Sequence, residues 1–181
     1  QQAGYQTGLY SSPHLIRFNE RIKINNQECD DKTIIDAFDY INNFIQIKSL
    51  TYFEFITLAA LYIFQQQSLD ILILEVGIGG RYDPTNLIDA DVAIITNIDL
   101  DHTDRLGESR EKIAYEKCGI LRKNQFLICG DNNPPQIIKE IVEQLNITYL
   151  NPCKNEEILG SSPRMTVPLI KIVSSGVGTC R

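Results

Sequence analysis

The chain has 181 residues, 43% of them apolar and 22% charged, which is the profile of a folded globular domain and excludes a disordered one. Seventeen Lys and Arg against 23 Asp and Glu leave a net charge of −6. That balance argues against sequence-independent nucleic-acid binding, which rests on neutralising phosphates.

Residues 1–20 are turn-rich, with Gly4, Gly8 and the run Tyr10-Ser11-Ser12-Pro13-His14-Leu15. Arg21 to Ile24 alternates as a short strand does and stops at Asn25-Asn26. Ile34, Phe38, Ile41 and Ile45 then recur on one face of a predicted helix. A second helix starts at Thr51, where Thr51 and Glu54 have capping-box spacing. Its body, Phe55 to Phe64, is apolar nearly all round, so deep burial is expected. That stretch is too short to span a bilayer, which takes roughly 20 apolar residues.

Ile71 to Leu74 is a continuous apolar run of strand length, and Val92 to Ile95 is another. Such runs suit the centre of a parallel sheet. A helix from about Ser109 to Cys118 is expected to end at Gly119 as a C-cap. Phe126 to Cys129 reads as a third strand. Pro134-Pro135 opens a helix with Ile137, Ile138, Ile141, Val142 and Leu145 on its apolar face, and Ile147 to Leu150 reads as a fourth strand. From Asn151 onward periodicity fades, and Ser161-Ser162-Pro163 and Ser174-Ser175-Gly176 read as loop or tail. The alternation from 71 to 150 predicts an α/β fold, a mainly parallel sheet with helices on both faces. Ligands of such sheets bind beyond the carboxyl ends of the strands.

Four constellations sit where that rule points. Glu75 ends an apolar strand and is followed by Gly77-Ile-Gly79-Gly80, a placement that suits a Mg²⁺-holding acid and a close backbone approach; a surface acid before a plain turn has the same sequence. Asn97 to Asp104 gathers Asp99, Asp101, His102 and Asp104, which suits Mg²⁺ or Mn²⁺ better than zinc and equally suits a solvated acidic turn. Lys117, at a helix end, is explained by the helix dipole alone. Ser11 to Arg21 carries hydroxyls that reach cations or phosphates and arginines that pair with a carboxylate. The five cysteines are odd in number and form no Cys-x-x-Cys pair, so a disulfide framework or zinc site is not expected and a reducing compartment is. No apolar signal segment opens the chain, and a cytoplasmic location is expected.

Seven segments in one order carry a family likeness. Tyr10-Ser-Ser12-Pro-His14, Phe18-Asn-Glu-Arg21, Thr51-Tyr-Phe-Glu-Phe55, Leu74-Glu75-Val-Gly-Ile-Gly-Gly80-Arg81, Asp83-Pro-Thr-Asn86, Leu100-Asp-His102-Thr and Glu116-Lys117-Cys-Gly-Ile120 resemble the folylpolyglutamate and dihydrofolate synthases of the Mur ligase superfamily. The likeness covers about residues 4–130. It implies the central ATPase-type domain of an ATP-dependent amide ligase. Such an enzyme phosphorylates a pteroate or folate carboxylate and lets the amine of L-glutamate displace phosphate. It implies two Mg²⁺ ions at Ser12, Glu75 and His102, a carbamylated Lys117, and Asp83 as an acid near the reacting substrate. Ser12, Pro13, His14, Arg21 and Asp83 are the implied substrate-binding residues, and a monomer is implied for the complete enzyme.

Two departures bear on organisation. The family's phosphate-binding loop, of the Gly-Thr-x-Gly-Lys-Gly-Ser type, would lie upstream of Gln1, and no room remains for its C-terminal domain. Residues 1–150 are therefore expected to be a partial central domain, and 151–181 a divergent tail, disordered or mispredicted. The chain alone is expected to be inactive. The competing readings are another Mur-type amino-acid ligase and a non-catalytic fragment.

Overall fold

The computed structural model describes residues 2–44, 50–100, 102–154, 156–158 and 170–175. The nine described strands form one sheet in the order β3-β2-β1-β4-β9-β5-β6-β7-β8. The strands are β1 (Thr7–Tyr10), β2 (Ile22–Ile24), β3 (Gln27–Glu28), β4 (Ile71–Glu75), β5 (Val92–Ile95), β6 (Phe126–Cys129), β7 (Thr148–Asn151), β8 (Glu156–Ile158) and β9 (Ile170–Ser175). From β1 through β7 the neighbours run parallel, and β2, β3 and β8 add antiparallel edges. Helices α1 (Asp31–Phe44), α2 (Tyr52–Gln65), α3 (Thr103–Leu106), α4 (Arg110–Lys117) and α5 (Gln136–Gln144) complete the fold.

The capping box at Thr51 forms as expected: the Glu54 amide donates to Thr51 Oγ1, and the Thr51 amide donates to the Glu54 carboxylate at 2.7 Å. Helix α2 buries Ile56, Thr57, Ala59, Ala60, Ile63 and Phe64. Its remaining apolar residues are covered only partly, with Tyr62 stacked on Tyr40 of α1. Helix α1 buries Ile34 and Ala37, and Ile45 lies outside the described residues.

Four expectations are corrected. First, the turn-rich opening contains β1. Gly8 disguised it; a Cβ there would lie 2.8 Å from Leu69 Cδ1 and 3.0 Å from Phe64 Cδ1, so a larger residue would require those side chains to shift. Second, Ser174 and Ser175 are strand and not tail. β9 lies between β4 and β5, with Ile172 level with Ile73 and Val92. The β-branched run Ile170-Lys-Ile-Val173 is the sequence signal for it. Third, Gly119 is not a left-handed cap. It sits in the 3-10 turn Cys118–Ile120, where a Cβ would come within 2.4 Å of Arg81 Cα.

Fourth, the described helices cover one face of the sheet. On that face Tyr10, Leu72, Leu74, Ala93, Ile95, Leu127, Cys129 and Tyr149 are buried, whereas Leu9, Ile71, Ile73, Val92, Ile94, Phe126 and Ile128 on the other are only half-buried. Handedness explains this. The crossovers β1 to β4, β5 to β6 and β6 to β7 all step the same way across the sheet. A right-handed crossover in one direction always lays its helix on the same side. The four described cysteines whose side chains are placed are free thiols, and Cys180 lies outside the described residues.

Candidate active site

The carboxyl ends of β1 and β4 open onto a cavity of about 660 Å³, a size that suits a small-molecule ligand. Ser12, Pro13, Arg21, Asp83 and His102 line it, as do residues not singled out from the sequence for this site: Tyr52, Phe53, Tyr82, Leu106 and Glu116. Tyr52 and Tyr82 are exposed aromatic walls, 62% and 88% accessible. Two exposed rings beside a glycine loop are a signal that could have been read from their placement after capped or glycine-rich turns.

Glu75 closes β4 and is half-buried. Its Oε2 accepts the Ser12 amide at 2.8 Å, which ties the loop after β1 to the end of β4. Its other oxygen has no protein partner among the described residues. His102 is exposed, in the left-handed region at φ 49°, where it starts α3. Asp101 of the same motif lies outside the described residues. Ser12 and His102 both line the cavity, and Glu75, at the carboxyl end of β4, is tied to the Ser12 amide. One carboxylate, one hydroxyl and one imidazole fit a Mg²⁺ or Mn²⁺ ion that takes its other oxygens from water and substrate. Among the described residues no three of His, Cys, Asp and Glu form a closed metal cage.

Arg21 is the buried cation of the site. It is 8% exposed and borders the cavity, and its Nε donates to His14 Nδ1 at 2.8 Å. No carboxylate pairs with it among the described residues. His14 does not line the cavity; it orients Arg21 from behind, with its ring edge-on to Phe18. Glu20 shapes the same loop, accepting the amides of Leu15, Ile16 and Arg17 at 2.8, 2.8 and 2.6 Å. These three bonds, the Arg17 one foremost, pull its carboxyl down to about 2.

Asp83 borders the cavity, but its carboxylate is turned to local donors. Oδ2 accepts the amides of Gly77 and Ile78 at 2.9 and 3.1 Å. Oδ1 accepts the amide and hydroxyl of Thr85 at 2.9 and 2.6 Å. A carboxylate has about four acceptor positions, so this one is full. Asp83 thus pins the glycine loop while it borders the cavity, where the sequence places an acid near the reacting substrate. Gly79, at φ 71°, takes a left-handed turn in that loop and packs against Leu106 of α3. Lys117, 2% exposed, lies at the end of α4 beneath Gly80 and does not line the cavity.

The Mur ligase middle domain matches residues 27–160. The chain belongs to the Mur ligase family. It is 50% identical over 143 residues to the dihydrofolate synthase/folylpolyglutamate synthase of Haemophilus influenzae, covering 79% of this chain and 32% of that relative. To the Escherichia coli protein of the same name it is 48% identical over 142 residues, covering 78% and 34%. To human mitochondrial folylpolyglutamate synthase it is 33% identical over 177 residues, covering 92% and 30%. The chain therefore spans about a third of the length of the curated bacterial relatives it matches. Among solved structures, E. coli FolC in complex with ADP superposes with a TM-score of 0.80 at 46% identity, covering 82% of this chain and 36% of that one. The bifunctional synthase of Yersinia pestis complexed with AMPPNP and Mn ion superposes at 0.78, also at 46% identity, with the same 82% and 36% coverage. The Mur ligase fold and the α/β architecture agree across sequence and structure. Among the described residues no helix is long and apolar enough to cross a membrane.

Proposed function

We propose that this chain is the central part of an ATP-dependent ligase that adds L-glutamate to dihydropteroate or to a folate glutamate through an acyl phosphate. The observation that carries the reading is Arg21. An arginine that is nine-tenths buried, borders a cavity and lacks a carboxylate partner among the described residues is suited to receive an anion. His14 holds its Nε, which leaves the far end of the fork free to pair with the substrate carboxylate. Tyr52 and Tyr82 offer flat faces to a pterin ring. The names of the relatives and the nucleotide and Mn in the solved structures support the same assignment.

In this reading Ser12, Glu75 and His102 hold Mg²⁺, two ions in the complete enzyme. Bound there, the metal supplies charge neutralisation between carboxylate and phosphate, which otherwise repel. The Ser12 backbone amide is already bonded to Glu75, so the loop that carries the Ser12 hydroxyl is tied to the carboxylate before substrate arrives. Asp83 keeps the glycine loop in the shape that the nucleotide and substrate meet. Lys117 is carbamylated: its ammonium loses a proton, the free amine adds to carbon dioxide and a second proton leaves, so that a buried cation becomes an anion. The complete enzyme works as a monomer in the cytoplasm.

Dihydropteroate titration of this chain tests the reading. Loss of a charge-assisted pair removes roughly ten- to a hundredfold in affinity, so Arg21→Leu should weaken binding by that factor. Equal affinity of parent and variant would remove Arg21 from the site. Stronger binding of a UDP-muramoyl precursor than of dihydropteroate would favour a cell-wall ligase instead.

A further inference from the structure

We propose that Asp131 and Arg110 are positioning residues that set the loop carrying His102. The proposal rests on the metal reading of His102 only for one of its readouts.

In the loop after β5, Ile98 is held at both its amide and its carbonyl by side chains from distant elements. Its amide donates to Asp131 Oδ2 at 2.7 Å, and its carbonyl accepts Arg110 Nε at 2.8 Å. Arg110 Nη2 in turn reaches both Asp131 oxygens, at 3.1 and 3.0 Å, and the Asn133 carbonyl at 3.0 Å. Asp131 also accepts the Asn133 amide at 2.7 Å, while its own carbonyl accepts Asn151 Nδ2 at 2.9 Å. One carboxylate and one guanidinium therefore join the exits of β5 and β6 to the start of α4, and the Asp131 backbone carbonyl adds the end of β7.

The site is built for permanence. Asp131 is 6% exposed. Burial works against its ionised form, but the amides of Asn133 and Ile98 and the Arg110 guanidinium outweigh burial and hold its carboxyl below the usual range. Ile98 is itself buried. Beyond Ile98, Asp99, Leu100 and His102 are exposed, and α3 has only four residues, too short to hold itself. The bonds at Ile98 therefore determine where the left-handed His102 and the cavity-lining Arg105 and Leu106 start from. The fork geometry matters as much as the charge: one arginine satisfies a carbonyl with Nε and a carboxylate with Nη2, which a lysine cannot reproduce.

His14 and His102 are the only histidines, so their two imidazoles give a clean spectrum. The experiment compares the parent chain with Arg110→Lys and Asp131→Asn. A third variant, Val142→Ala, loses stability from a buried site on α5, away from the junction. Three readouts are taken: hydrogen exchange at the Ile98 amide, the His102 imidazole signal, and its broadening by added Mn²⁺. Both clamp variants should exchange Ile98 about tenfold faster and split or shift the His102 signal, leaving the His14 signal in place. The Mn²⁺ concentration needed to broaden His102 should rise by about the same factor. Val142→Ala should change none of these at equal loss of urea stability. An Arg110→Lys chain with parental Ile98 exchange and His102 signal would overturn the proposal, as would equal effects from Val142→Ala. If Mn²⁺ fails to broaden His102 even in the parent while the other two readouts respond, the metal reading falls and the positioning role stands.

Discussion

Replacing Asp83 by Asn is the sharpest test of how the glycine loop is held. The substitution keeps size and shape but turns one acceptor oxygen into a donor NH₂. The parent carboxylate accepts Gly77 N and Ile78 N on one oxygen, and Thr85 N and Thr85 Oγ1 on the other. Whichever way the amide is placed, its nitrogen faces at least one backbone N–H that has lost its acceptor. If it faces Gly77 and Ile78, two are lost; if it faces Thr85, one amide is lost and the hydroxyl must turn to accept. A hydrogen bond to a charged group contributes about 1.5–3 kcal/mol and an orphaned buried donor costs about 1–3, so the variant should lose about 3–5 kcal/mol. Thr85 is fully buried and Asp83 nearly so, so solvent does little to relieve this. Against a typical total of about 5–15 kcal/mol, that loss should lower the urea midpoint conspicuously. Amide exchange at Gly77, Ile78 and Thr85 should accelerate more than at Leu127 in the sheet centre. A loss below about 1 kcal/mol, with the exchange of Gly77 and Ile78 unchanged, would refute the argument, because the counted bonds would then carry no weight.

Acid should open the loop after β1 through Glu20. Its folded pKa, about 2, lies below the ordinary value of 4.5, so its contribution is present above the ordinary value and is lost as pH falls through the folded one. The amide signals of Leu15, Ile16 and Arg17 should move together in that window, and Glu20→Gln should remove the shared transition; three unrelated midpoints would contradict the assignment. Among the described cysteines, the exposed Cys153 should react with a maleimide well before Cys29, Cys118 and Cys129, since burial raises those thiols, to about 11 for Cys29 and about 12 for Cys118. Peptide mapping that finds Cys118 modified first would disprove that order. Deleting residues 159–181 removes β9 and leaves β4 and β5 with facing unpaired edges. The cooperative urea transition should then disappear, and a transition with the parental midpoint would show that β9 does not complete the sheet.

Several features of the fold were readable because their causes are local. The apolar runs at 71–74, 92–95 and 126–129 became parallel strands, and the Thr51–Glu54 cap formed as its spacing implied. Short-range chemistry of this kind sits inside a window of a few residues. Ser12, Arg21, Asp83 and His102 were likewise named from motifs, and all four border one cavity. The readings that failed depended on distant partners. β1 was hidden because Gly8 answers to Leu69 and Phe64, which only the fold brings against it. Asp131, which had no motif to mark it, meets Ile98 and Arg110 across 33 and 21 residues.

Length, composition and ordered motifs were enough to establish a Mur-type α/β domain, and they named the residues around its site. Tertiary structure decided the rest. It placed β9 between two strands that are consecutive in sequence, and it laid every described helix on one face because each crossover steps the same way. It also divided the charged groups by their surroundings. Asp83 and Asp131 became structural acceptors because folding brought several donors to each, whereas Arg21 was buried at a cavity with no carboxylate paired to it among the described residues. A residue's charge is written in the sequence, but which opposite charge or amide reaches it is set by three-dimensional packing. In this chain that distinction separates the groups that hold the loops from the one suited to receive a substrate.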